Sequence, residues 1–233
     1  MSSARVDVYP LDKAGLAVAQ TLVARRHYLG KPVDARCSVE GYGVSVMDER
    51  VGVMLLGRPQ ATACYPWYGS VGDVATGRAG VTRWQVLNLA RVYFDPRVQR
   101  GGALHAPEYL PGFKDRRGNF RSTLGSWAIS WLAERVVLDY LLRRPPCFLD
   151  EPYDLRWLLS YCDTRIHRGA LYRASGFQLF RTNKDGVQTW RRQLRSLSPE
   201  EDCLVRTAAI RSRRSIEHRT RRAQAALTFE ARP

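Results

Sequence analysis

A carboxylate, an imidazole and a phenol lie close together after a short apolar run. The run that ends at Cys162 predicts a buried strand, and Asp163 follows at its carboxyl end. Open α/β sheets place their sites at the carboxyl ends of strands. His167 comes next and Tyr172 lies in a predicted short helix, so the segment supplies the groups used in general acid–base catalysis. A loop carboxylate and a packed tyrosine are the simpler alternatives.

An aromatic, glycine-rich segment is a second candidate, because Trp67 and Tyr68 stand together in it. A base inside a duplex must be flipped out to reach a catalytic pocket, and aromatic side chains stack on flipped bases. The alternative is a loop that packs on its own aromatics.

A metal site is a competing use of four side chains near the predicted strand ends, with iron or zinc as candidates. The spacing of Asp163 and His167 suits a helix face, but Thr164 to Ile166 has a loop pattern, so we predict no bound metal. The four side chains are His27, Cys162, Asp163 and His167.

Hydrophobic periodicity predicts the elements that must position these groups. A first helix is capped by Asp12, a long helix that is apolar nearly all round spans about Ser122 to Arg143, and a short helix spans His167 to Ala174. The predicted strands are Arg5–Pro10, Cys37–Asp48, Arg50–Arg58, Arg83–Phe94, Arg156–Tyr161, Phe177–Thr182 and Val187–Leu194.

The resulting order, β-α-β-β-β-α-β-α-β-β, resembles the GCN5-related N-acetyltransferase fold. That is an α/β fold with a mixed central sheet and flanking helices, and we expect it over residues 1–195. The resemblance implies that the start of the long helix holds the pyrophosphate of acetyl-CoA or a related acyl-CoA donor, because free N–H groups there attract anions. Arg97 to Gly102 imitates the usual fingerprint weakly, and Ser122 could simply cap the helix. The candidate donor-binding residues are Ser122, Thr123, Leu124, Gly125 and Ser126.

The charge of the chain favours a polyanionic partner. Lys and Arg number 37 and Asp and Glu 22, which leaves a formal net charge of +15. Arginines crowd residues 196–233, a basic tail that we predict to be helical or disordered. Ser198 and the two following glutamates predict a helix start. Arg211, Arg213 and Arg214 are candidate phosphate contacts, and a solvated helix face is the alternative.

Other features bound the cellular setting. No apolar run approaches the roughly 20 residues of a membrane helix. The first residues lack the apolar core of a secretory signal. The 5 cysteines are scattered without a CxxC pair, which is typical of reduced thiols, so we expect a cytoplasmic protein.

Several motifs, in order, resemble the Mom family of phage DNA-modification proteins. They span roughly residues 20 to 192 and leave the basic tail outside. The motifs are His27-Tyr28, Asn88-Leu89-Ala90-Arg91, a serine at Ser122 or Ser126, the run Leu158 to Asp163, the stretch His167 to Ala174, and Thr189-Trp190.

The resemblance implies an enzyme of the host-cell cytoplasm that adds a carbamoylmethyl group to adenine N6 in double-stranded DNA and so protects phage DNA from restriction. It implies that Arg91, Ser122, Asp163 and Tyr172 form the active-site set. From their chemistry we expect Asp163 to be the base, Tyr172 the acid or orienting phenol, and Arg91 a clamp for carbonyl or phosphate. Ser122 would touch the donor, with His27 and Tyr28 close by. The expected DNA contacts are Trp67, Tyr68, His167, Arg168, Arg211, Arg213 and Arg214.

Two alternatives remain open. One is an acetyl-CoA-dependent N-acyltransferase acting on a modified base, a protein or a small molecule. The other is a DNA-binding protein without catalysis.

Overall fold

Seven strands form one mixed sheet in the order β1-β2-β3-β4-β5-β7-β6. The computed structural model describes residues 6–34, 40–59, 85–99, 123–143 and 155–230, with positions 213, 216 and 218–230 described by backbone alone. The strands are β1 (Val6–Pro10), β2 (Glu40–Val46), β3 (Glu49–Gly57), β4 (Val86–Phe94), β5 (Trp157–Asp163), β6 (Gln178–Thr182) and β7 (Val187–Gln193). The helices are α1 (Lys13–Arg26), α2 (Leu124–Arg143), α3 (Ala170–Ala174) and α4 (Pro199–Glu230). The predicted mixed α/β class is confirmed.

The sheet opens between β4 and β5, its one parallel pair in the described chain. These strands are paired only from Val86 to Asn88 on β4, against Trp157 to Leu159 on β5. Ala90 is an extra residue between Leu89 and Arg91, which face consecutive residues of β3. Such a bulge bends a strand and disrupts its ladder. The two strands therefore continue on either side of a cleft.

Helices cover both faces of the sheet. α2 buries residues all round its surface, including Ile129, Leu132 and Val136, because sheet and helix both pack on it. On the opposite face, α1 buries Ala19 and Val23 against β3. The prediction of a long buried helix is confirmed.

The start of α2 differs from the expectation. The Thr123 hydroxyl accepts from the Ser126 N–H at 3.3 Å and the Ser126 hydroxyl accepts from the Thr123 N–H at 2.9 Å. This reciprocal pair satisfies two N–H groups at the first turn, so Thr123 is the cap. Ser122, the alternative cap, lies outside the described residues.

The predicted Asp12 cap of α1 is confirmed, because the Asp12 side chain accepts the Gly15 N–H at 2.7 Å. Gly176, after α3, and Gly186, in the β6–β7 turn, both have φ of +77°, which glycine adopts without steric cost.

The basic tail is helical along Pro199–Glu230, and its first part belongs to the core. Val205 and Ala209 are buried, and Val205 joins the cluster around α2. The predicted start is confirmed, because Ser198 and Glu201 exchange backbone N–H bonds with each other's side chains.

Candidate active site

A cavity of about 840 Å³ occupies the opening between β4 and β5. It reaches both faces of the sheet, because the end of α1 lines one side and the starts of α2 and α3 line the other. Its polar and aromatic lining residues are His27, Tyr28, Arg91, Gln99, Thr123, Ser126, Tyr161, Cys162, His167, Arg168 and Tyr172. Among all the described lining residues there is no aspartate or glutamate.

Three aromatic rings form one wall of the cavity. The rings of His27 and Tyr28 lie 4.3 Å apart, and Tyr28 meets His167 edge-on at 5.2 Å. Tyr28 is 40 % exposed, so its ring is accessible from the cavity mouth. This wall offers the kind of surface on which a planar aromatic ligand stacks.

The His27 ring is held neutral. Burial, followed by the nearby charges of Arg91 and His167, lowers the pKa of His27 to about 4. Its Nδ1 accepts the Leu29 N–H at 3.2 Å, so the proton of the neutral ring is on Nε2. His27 can therefore donate a hydrogen bond to a ligand without becoming charged.

Arg91 is the central cation of the site. The bulge before it turns Arg91 toward the cleft on β4. One terminal nitrogen donates to the Ala90 carbonyl at 2.6 Å, while the buried Nε has no hydrogen-bond partner among the described residues. Burial lowers the pKa of Arg91 from its ordinary value, yet a guanidinium stays charged at neutral pH. A buried donor without a partner is costly, so this geometry suits a ligand oxygen.

Tyr172 brings a phenol to the inner end of the cavity. Its hydroxyl lies 3.5 Å from the Tyr161 carbonyl, and its ring stacks on Trp190 at 6.2 Å. Burial raises the pKa of Tyr172 to about 12, so the hydroxyl keeps its proton at neutral pH. Tyr172 can donate that proton to a group that develops negative charge.

A buried thiol lies beside this phenol. Cys162 donates to the His167 carbonyl at 3.3 Å, and burial raises the pKa of the thiol. A thiol with a raised pKa is a weak nucleophile at neutral pH, and this bond ties β5 to the turn that follows.

The predicted donor-binding segment is divided by the structure. Thr123, Gly125 and Ser126 line the cavity, whereas the Leu124 side chain is buried in the core. A side chain at Gly125 would approach the Phe94 ring to 3.1 Å, so glycine lets Phe94 pack closely against the start of α2. The reciprocal Thr123–Ser126 bonds leave the N–H groups of Leu124 and Gly125 without partners within the helix, and these two can hold an anion.

Asp163 has a different setting from Tyr172. It lies outside the residues that line the cavity, and its carboxylate binds Arg165 at 2.6 Å. Hydrogen bonds from Arg165 lower the pKa of Asp163 to about 2, so this carboxylate is a weak proton acceptor at neutral pH. Its backbone carbonyl accepts the N–H groups of Ile166 and His167. Asp163 thus holds the turn that delivers His167 to the cavity.

The predicted DNA contacts are spread over three regions. His167 and Arg168 are exposed and line the cavity. Arg211 and Arg214 are exposed on α4, where the Arg213 side chain is not described. Trp67 and Tyr68, together with the Arg100–Gly102 part of the fingerprint-like stretch, lie outside the described residues.

Within the described chain, no group of three or more potential metal ligands comes together. None of its helices is both long and apolar enough to span a bilayer.

Sequence reasoning did not select Tyr161 as a site residue, although it lines the cavity, and it pointed to Gln99 only as part of the fingerprint-like stretch. Strand alternation places Tyr161 on the same face of β5 as Asp163, which is a signal for Tyr161. Gln99 follows a 3₁₀ turn and donates to the Phe94 carbonyl at 2.7 Å, an interaction that no sequence pattern indicates.

Neither family models nor curated proteins match this chain. Solved structures similar to it include aminoglycoside acetyltransferase AAC(6')-Ib in complex with coenzyme A and kanamycin, at 13 % identity and a TM-score of 0.45, over 81 % of this chain and 95 % of that one. FeeM, an N-acyl amino acid synthase from uncultured soil microbes, has 13 % identity and a TM-score of 0.45 over 82 % and 91 % of the two chains. The AHL synthase LasI has 13 % identity and a TM-score of 0.43 over the same shares. The likeness concerns the mixed α/β fold and carries no conclusion about substrate.

Proposed function

We propose that this protein transfers an acyl group to the N6 amine of adenine in double-stranded DNA, as the first step toward a carbamoylmethyl product. The observation that carries the proposal is the lining of the cavity: aromatic rings and cations, with no carboxylate among its described residues. An amine that is protonated in water would be repelled by Arg91 and Arg168. An aromatic amine is neutral at pH 7, because its lone pair is delocalised into the ring, and a phosphate-bearing substrate is attracted.

The aromatic wall suits a flipped base. Tyr28 and His167 present ring surface at the mouth of the cavity, and flipped bases are held by stacking and by hydrogen bonds to their edges. The net charge of +15 favours the approach of a polyanion. Both features support DNA over a small cationic amine.

The donor would lie with its anionic part at the start of α2. The N–H groups of Leu124 and Gly125, which the Thr123–Ser126 pair leaves unused, would hold a pyrophosphate there. The amine would attack the thioester carbonyl of an acyl-CoA, which forms the N6–acyl bond and breaks the carbon–sulfur bond. Coenzyme A would leave as its thiol, and the N6 proton would pass to solvent. The cleft between β4 and β5 would lead the acyl end toward Arg91. We propose acetyl-CoA or a related acyl-CoA as this donor.

Two residues would then stabilise the reaction. His27 would donate from Nε2 to the oxygen on which negative charge develops, an interaction worth about 10²–10³ in rate when preorganised. Tyr172 would protonate the departing group, a role typically worth about 10²–10⁴. Asp163, expected as the base, would act instead by holding the Arg165 turn.

Mass spectrometry of nucleosides tests the proposal directly. DNA from cells that express the protein should contain a modified deoxyadenosine, and DNA from cells that express Arg91→Gln should contain little of it. Arg135→Gln, which removes the same charge from an exposed position on α2, is the matched control. Unmodified adenine with folded, expressed protein would overturn the proposal.

The donor class is tested separately by thermal unfolding. Saturating acetyl-CoA or coenzyme A should raise the melting temperature, since a ligand at one hundred times its Kd adds about 2.7 kcal/mol of stability. Stabilisation by these ligands without any modified base in DNA would favour an N-acyltransferase with another amine as acceptor. If the protein binds DNA but shows neither stabilisation by these ligands nor a modified base, a DNA-binding protein without catalysis would be favoured.

A further inference from the structure

We infer that a second cavity, of about 450 Å³ at the end of α3, binds a phosphate group of the molecule that occupies the first cavity. This inference rests on the proposed function, which supplies two sources of phosphate: the DNA backbone and the nucleotide end of coenzyme A. No step of the reaction proposed above takes place in this second cavity.

The lining of the second cavity has the chemistry of an anion site. Arg191 and Arg192 contribute two guanidinium groups, and Gln178, Gln193 and Ser130 contribute neutral hydrogen-bond donors. No carboxylate is present among its described lining residues. Guanidinium forks match the geometry of phosphate oxygens, and amides add donors without opposing charge.

The two guanidinium groups are held in place before a ligand arrives. The Arg191 guanidinium lies 4.5 Å from the centre of the Phe180 ring and 5.1 Å from that of Trp157. Arg192 donates to the Ser175 carbonyl at 2.6 Å and pairs with Glu134, which lies outside the lining. Because Glu134 offsets the charge of Arg192, Arg191 and the amides would carry most of the recognition. Fixed donors lose little conformational entropy when they bind.

The second cavity adjoins the first. Ala174 lines both, and the Ser175 hydroxyl donates to the carbonyl of Ser126, which belongs to the first cavity. One end of α3 therefore separates the reacting centre from the anion site. A nucleotide chain or a nucleotide-bearing donor can reach from one to the other, whereas a small neutral substrate cannot fill both.

The decisive variant is Gln193→Glu. It keeps the size of an exposed side chain and puts a negative charge into the second cavity, where it would repel phosphate. The matched control is Gln20→Glu on α1, because the Gln20 side chain accepts the Val33 N–H at 2.9 Å and a glutamate keeps that acceptor. Both variants change the net charge equally.

Three probes identify the source of the phosphate. With duplex DNA, Gln193→Glu should raise the Kd about tenfold more than Gln20→Glu, the effect of removing one charge-assisted bond, and reduce the log–log salt slope by about 0.9. With coenzyme A and dephospho-coenzyme A, weakened binding confined to the former would assign the cavity to the donor nucleotide. With inorganic pyrophosphate, thermal stabilisation that Gln193→Glu abolishes and Gln20→Glu keeps would support the site even if DNA is never modified.

Equal responses of Gln193→Glu and Gln20→Glu to all three probes would overturn the inference. Absence of modified adenine, with the pyrophosphate difference intact, would instead overturn only the proposed function.

Discussion

The neutral imidazole of His27 and the protonated phenol of Tyr172 share a physical cause. Each is taken out of water beside the cation Arg91, and burial disfavours the charged form of both groups. Burial therefore lowers the pKa of the base and raises that of the acid, which leaves two uncharged hydrogen-bond donors at neutral pH. Asp163, at the edge of the site, remains ionised because hydrogen bonds from Arg165 stabilise its charged form.

Tyr172→Phe should reduce the modified nucleoside by about 10² or more, because it deletes a proton donor and little else. Asp163→Asn should leave product close to the wild-type level, since its carboxylate is already committed to Arg165. Nucleoside mass spectrometry at equal concentrations of folded protein measures both. Loss of product in Asp163→Asn together with full activity of Tyr172→Phe would reverse these roles.

Acid should destabilise the protein through His27. The folded-state pKa of about 4 lies below the ordinary 6.5, so between these values the unfolded chain binds more protons. The contribution of His27 to stability is complete above pH 6.5 and is lost as the pH falls toward 4. His27→Asn, which keeps an acceptor for the Leu29 N–H, should flatten the dependence of unfolding free energy on pH over this interval.

Urea unfolding at several pH values measures that slope. Arg135→Gln is the control, because it changes an exposed side chain on α2 that does not line the cavity. A slope that Arg135→Gln flattens as much as His27→Asn does would contradict the assignment.

At the scale of elements, the site depends on how α3 approaches the sheet. Gly169 immediately precedes this short helix with φ of +66°, and a side chain there would clash with the Trp190 ring. Trp190 is buried in the core and stacks on Tyr172. The absence of a side chain at Gly169 thus lets α3 bring Tyr172 into the cleft.

Gly169→Ala should cost at least about 2 kcal/mol of unfolding free energy, from left-handed backbone strain added to the clash with Trp190. Gly176→Ala, at φ of +77° but with its nearest neighbour, Arg192, at 3.6 Å, should cost only the strain of about 1–2 kcal/mol. Denaturant unfolding measures the loss of unfolding free energy in each of the two variants. Equal destabilisation of both variants would show that the Trp190 ring shifts to accommodate the added methyl group.

At the scale of the whole molecule, α4 contributes to both the core and the charged surface. Its first part buries Val205 and Ala209, while Arg211 and Arg214 are exposed farther along. Removal of the helix would uncover the core, so its proposed interaction with DNA is better tested by single charges.

Arg211→Gln with Arg214→Gln should weaken duplex binding and lower the log–log salt slope by about 0.9 for each phosphate that is no longer neutralised. Thermal stability should change little, because both side chains are exposed. Arg135→Gln on α2 should leave the slope nearer to wild type. An unchanged slope in the double variant would remove α4 from the DNA surface.

Local patterns in the sequence were sufficient for most of the elements. Alternation and helical spacing place all seven strands and the buried α2 within a few residues, because these signals follow from the burial of one face or of a whole helix. The Asp12 cap is equally local, since it depends on a bond between residues three apart.

The composition of the cavity was decided by the tertiary structure. His27 and Arg91 come together only because the end of α1 meets the bulge in β4, and no periodicity encodes that meeting. Tyr172 and Asp163 are equally good candidates in the sequence. The packing of Trp190 against α3 puts Tyr172 into the cleft, while Arg165 holds Asp163 at its edge. Such choices depend on contacts between segments that are distant in the sequence, which local patterns do not encode.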